Sequence, residues 1–371
     1  MPVRIFQICV ALCLALAGFT SAALANADAV QLSAASPNVL PSANPVHVQV
    51  FDSKPFVIDR IYRTMMGPKT ASVITIGDRD VEERIWILSY ETEIVDTSTG
   101  QQISDEYMCH NNILVPNFSK QQKMVGMATA TAQKRLFTLS QGVMKVEFPQ
   151  GFGIPFQSGE PILLNSQVLN LNPLEKPLEV LYRSTVRYVK ESELVQEVRS
   201  LRQFGVMGLK LLSGDHGYPG VADPDPAAHG ESCAVGEVVA GGATMDHDDG
   251  RVFTNHWVVE PGREENHTLI TSELGLSQDA TLHYIGVHLH PYGESLELKD
   301  LTTNETIFKS HARNRKGRAG LEHVDAYSSI EGTRLFKDHE YTLISVYEND
   351  SGEMQDAMAI MFLFLGDSTV Q

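Results

Sequence analysis

Cysteine is scarce in this chain of 371 residues: there are four, and two of them, Cys9 and Cys13, sit in an apolar stretch near the start. That scarcity excludes a disulfide-stapled miniature scaffold and the repeated cysteine pairs of structural zinc modules. Basic charge is short as well, with 29 Lys and Arg against 46 Asp and Glu and a net charge of -17. An acidic balance of that size opposes nucleic acid and anionic membrane as partners. After the first residues no apolar run reaches membrane-spanning length, so no transmembrane segment is expected. The longest run, AMAIMFLFLG at 357–366, suits a buried strand. Helical periodicity is weak throughout, and heptads and internal repeats are absent.

What is present begins with Arg4, an apolar run from Ile5 to Phe19 and the small residues of TSAALANADA. This is the three-part layout of a secretory signal, so residues 1–27 are read as a removable leader and the protein as secreted or periplasmic. Residues 28–45, small, polar and proline-bearing, read as an extended leader. Beyond them come many short alternating or β-branched runs parted by turn residues, among them RIWILSYETEIVD, LEVLYRSTVRYV, TLHYIGVHLH, EYTLISVYEN and AMAIMFLFL. That rhythm predicts an all-β protein. Roughly 345 mature residues exceed one core, so two tandem antiparallel β-sandwich domains of jelly-roll type are expected, at 46–196 and 197–371. A Gly-, Pro- and Asp-rich stretch at 213–250 reads as a long insertion in the second. HARNRKGRAG (311–320), a basic island, reads as a solvated hairpin tip.

Within YIGVHLHPYG, His288 and His290 stand one residue apart. In a strand the side-chain period is two, so both project from one face while Ile285, Val287 and Leu289 form a core stripe on the other. Two neutral imidazoles on one face can share a metal ion. A third donor is needed, and Met354 stands in a polar turn before the last apolar strand, where a methionine is out of place as core filler. A thioether beside two imidazoles selects copper. His256 and His283, by contrast, read as hydrogen-bonded structural residues.

In their order along the chain, VVEPGREENHTLIT, GVHLHPYGESLEL, EYTLISVYEN and GEMQDAMAIMFLF together resemble the C-terminal domain of the copper type II, ascorbate-dependent monooxygenases. The resemblance implies that His288, His290 and Met354 hold a copper ion that activates dioxygen for hydroxylation of a C–H bond, with ascorbate or another external electron donor as reductant. It also implies a second copper site in the first domain, where this chain departs from the pattern. The three histidines of that site correspond to Cys109, His110 and Gln167. Cys109 is then either a ligand or the partner of Cys233 in a disulfide, the default for two thiols in an exported chain. Gly286, Asp356 and Met358 replace the groups that grip a substrate carboxylate in peptide-amidating members, and Asp356 would repel one. The substrate is not named by the sequence. Two further expectations compete with catalysis: a copper carrier on the same triad, and a metal-independent interaction module.

Overall fold

The computed structural model describes residues 43–63, 66–115, 135–211, 244–246 and 252–367. The leader at 1–27, most of 28–45, Cys233 and the histidines of the 213–250 insertion lie outside the described residues, as does the polar stretch at 116–134. Pro41–Gln371 form one compact unit.

The chain is all-β. The first half contributes β1 (His47–Asp52), β2 (Phe56–Ile58), β3 (Lys69–Thr75), β4 (Arg84–Asp96), β5 (Gln102–Ile103), β6 (Met108–Leu114), β7 (Arg135–Ser140), β8 (Lys145–Glu147), β9 (Phe152–Gln157), β10 (Pro161–Val168) and β11 (Leu178–Lys190). The second contributes β12 (Arg199–Met207), β13 (Lys210–Leu211), β14 (Thr244–Asp246), β15 (Val252–Thr254), β16 (Trp257–Val259), β17 (Gly262–Leu269) and β18 (Ala280–Leu289). It continues with β19 (Gly293–Asp300), β20 (Glu305–Asn314), β21 (Leu321–Val324), β22 (Tyr327–Leu335), β23 (Tyr341–Asn349), β24 (Gln355–Ala357) and β25 (Ala359–Asp367).

Two antiparallel sandwiches follow each other. In the first, β1-β11-β4-β9 faces the sheet β3-β10-β6-β7; in the second, β12-β25-β18-β22 faces β17-β23-β19-β20-β21. Asn111 of β6 reaches across the first sandwich, donating to Thr92 Oγ1 and Ser184 Oγ at 2.8 Å each. The two halves share a sheet path, because β12 pairs in parallel with β9, Arg199 opposite Phe152, and antiparallel with β25.

Period-two alternation explains why β25 is apolar without interruption. Ile360, Phe362 and Phe364 enter a core shared with the first sandwich, whereas Met361, Leu363 and Leu365 enter the core of the second. Both faces are buried, so neither needs polar residues. The neighbouring β18 shows the same division. Ile285, Val287 and Leu289 pack inside the second sandwich, and Tyr284 on the opposite face meets Phe148 and Phe364 of the shared core. His288 and His290 belong to that opposite face and are buried.

The basic island is an exposed hairpin tip between β20 and β21, as expected, and it also clamps the first sandwich. Arg315 pairs with Asp105, Arg318 Nη2 lies 2.5 Å from Glu106 Oε2, and Leu321 N donates to Gln141 Oε1 at 2.6 Å. Composition alone showed the charges but not their acidic partners, which stand more than 200 residues earlier. Glu106 is buried while Arg318 is exposed, so Arg318→Ala leaves a buried carboxylate with Asn172 Nδ2, 3.3 Å away, as its remaining side-chain donor among the described residues. A loss of about 2 kcal/mol is expected, read as a lowered urea midpoint at unchanged slope.

Candidate metal centre

Strand β16 pairs with β24, placing Val258 opposite Asp356 and Trp257 opposite Ala357. Opposed residues share a face and period-two alternation carries that face back to residue 256, so His256 and Asp356 point the same way while Trp257 and Ala357 enter the core. His256 is fixed at the strand entry by Thr254, whose hydroxyl donates to His256 O at 2.8 Å and accepts from His256 N at 3.2 Å. Asn349 holds the turn before β24, donating to Val259 O at 3.0 Å and to Glu353 O at 2.7 Å. Tyr347, fully buried, accepts from His290 N at 3.3 Å and donates to Met358 O at 2.6 Å, tying β18 to the start of β25.

These anchors bring three donors together. Ring nitrogens of His256 and His290 and a carboxylate oxygen of Asp356 all lie within 4.8 Å of one another. His256 Nε2 contacts Asp356 Oδ1, and His290 Nδ1 stands 3.3 Å from Asp356 Oδ2. Both histidines are 4% exposed and Asp356 24%. The His288 ring lies 5.2 Å from that of His290, edge to face, and His288 Nδ1 is buried without a hydrogen-bond partner.

Burial alone would raise the Asp356 carboxyl, but the imidazoles of His256 and His290 outweigh it through charge and hydrogen bonding and hold the group well below the usual carboxylate range. Burial pushes the His288 imidazole far down, with His290, His110, Arg135 and His256 adding to the effect. An ionised carboxylate and a neutral imidazole are the forms that bind metal.

His290 stands among the three donors and His288 beside it. Met354 lies in the turn before β24 and is 52% exposed. Cys109 is buried at the irregularity where β6 meets Val168 of β10, in the core cluster with Ile113 and Leu139. His110 and Gln167 face each other across β6 and β10, and the Gln167 amide donates to Gly67 O at 3.0 Å. His283 is hydrogen-bonded as expected, its Nδ1 3.0 Å from Ser329 O and its ring tilted against Phe152 with the centroids 4.0 Å apart.

Sequence reasoning missed His256 and Asp356. The first looked like a core histidine and the second like a charge hostile to substrate. Only the pairing of β16 with β24, across some hundred residues, makes them neighbours of His290.

No model of a protein family matches the chain, and no curated protein matches it. Among solved structures it is similar to peptide-N(4)-(N-acetyl-β-D-glucosaminyl) asparagine amidase, with 9% identity over 87% of this chain and 97% of the other and a TM-score of 0.33. A recombinant N-glycanase F aligns at 9% identity over 87% and 96%, with a TM-score of 0.34. The Flavobacterium meningosepticum enzyme aligns at 10% identity over 87% and 97%, with a TM-score of 0.31. Likeness this weak carries no argument about activity.

Membership in the copper type II monooxygenases is nevertheless withdrawn, and with it monooxygenation, ascorbate and the copper assignment that rested on it. No family match supports it, and the structural matches carry other names. Its four landmarks coincide with β16–β17, the β18–β19 hairpin, β23, and the turn leading into β24–β25. They record the strand succession of an antiparallel sandwich.

Proposed function

We propose that this chain is an exported metalloprotein that holds one divalent transition-metal ion on His256, His290 and Asp356, between its two sandwiches. The observation carrying the reading is the convergence of two buried imidazoles and a carboxylate within 4.8 Å. Two nitrogen donors and one oxygen donor suit a borderline ion such as Zn²⁺ or Fe²⁺ better than a soft one. Three protein ligands leave coordination positions open, the pattern of a centre that acts on a bound molecule rather than one that only braces the fold. His288 stands beside His290 on the same strand face, its ring 5.2 Å away.

Zn²⁺ titration against a competing chelator tests the assignment. The wild type is expected to bind one equivalent. His256→Ala and Asp356→Asn should each weaken binding more than about a hundredfold, since each removes a ligand. Met354→Ala should leave it unchanged. Undiminished affinity in the His256 and Asp356 variants, with loss in the Met354 variant, would reject this donor set in favour of the thioether one.

A further inference from the structure

We infer that the outer face of the β3-β10-β6-β7 sheet binds the oxyanion group of a small molecule. The inference deepens the metal-centre reading by naming the chemical class of what approaches the ion.

The face is defined by register. Asn112 pairs with Asn165 on one side and Thr138 on the other, and His110 lies two residues along β6, so all project away from Asn111 and the sandwich interior. It is polar yet buried: Asn112 is 0% exposed, His110 2% and Thr138 9%. Asn112 Nδ2 and Oδ1, His110 Nε2 and Thr138 Oγ1 make no hydrogen bond. Buried polar atoms are normally satisfied, and a cluster of four left open marks a place where an outside molecule completes the bonding.

Charge selects the class of molecule. The four strands carry Lys69 and Arg135 and no acidic residue, in a chain whose net charge is -17. Arg135 is buried, and the charges of Arg135 and Lys69 act on His110. An amide N–H, a hydroxyl and an imidazole near a buried guanidinium together suit the oxygens of a carboxylate or a phosphate. The face adjoins the metal centre, since His110 and His290 are near enough to influence each other electrostatically.

The test is calorimetric titration of the zinc-loaded full chain with inorganic phosphate and, separately, succinate, in wild type and in Asn112→Leu. Saturable binding of one of them tighter than about 1 mM is expected. Asn112→Leu should weaken it at least about tenfold while leaving Tm unchanged or raised, because the substitution removes two unsatisfied buried atoms. A merely structural asparagine would instead lower Tm. Which anion saturates separates a phosphate from a carboxylate source. Absence of saturation by either, or equal binding in the Leu variant, would overturn the inference. Zinc content is counted in the same samples, so absent zinc with intact anion binding sinks the metal centre alone, and zinc without anion binding sinks this proposal alone.

Discussion

Phe364→Ala is expected to cost about 3–5 kcal/mol and to destabilise both halves of the molecule together. Phe364 is 1% exposed and sits where the sandwiches share a core, its ring 4.8 Å from Phe148, 5.6 Å from Tyr284 and 6.5 Å from Phe137. Truncation leaves a cavity walled by residues of both halves, and β25 cannot close it without breaking pairing with β12 and β18. The chain has two tryptophans, Trp86 in β4 of the first sandwich and Trp257 in β16 of the second. Single-tryptophan versions therefore read each half separately. The shared core predicts one urea midpoint from both probes, shifted equally by the Phe364 substitution. Two separated midpoints, with only the Trp257 signal moved, would show that the sandwiches are energetically independent.

The second large effect is on acid stability. Burial, helped by the charges of Arg135, His290 and Lys69, pushes the His110 imidazole from an ordinary value of 6.5 down to about 3. The folded-state value is depressed and the group is basic, so between these two values only the unfolded chain takes up the proton. Stability therefore falls as pH drops below about 6.5 and goes on falling toward pH 3. From pH 7 to pH 5 the His110 contribution to that loss is about 2 kcal/mol, at 1.36 kcal/mol per unit. His110→Leu should flatten the stability profile by that amount over the interval, whatever its stability at pH 7. Parallel profiles for the two proteins would show that His110 is protonated in the folded state.

The parts of the molecule that could be read beforehand are those written in local period. The alternation of β18 and the double-sided apolar run of β25 were legible because a strand's two faces are recorded in consecutive residues, and the all-β class followed from many such runs. The site was legible only in part. His288 and His290 announce themselves within three residues, but His256 and Asp356 acquire meaning only through the register of β16 on β24, which no local pattern encodes. Met354, in contrast, drew attention because it stands in a polar turn, and a polar turn is also where half of a side chain can remain in water. The basic island was legible as a hairpin tip, but its partners Asp105 and Glu106 were not, because they lie in the other sandwich.

The position of the bound ion is decisive. Crystals grown with Zn²⁺ and measured at the zinc absorption edge would locate it directly. One strong anomalous peak is predicted about 2.0–2.2 Å from His256 Nε2, His290 Nδ1 and an Asp356 oxygen. A peak bonded to Met354 and not to Asp356, or no peak near these three side chains, would contradict it.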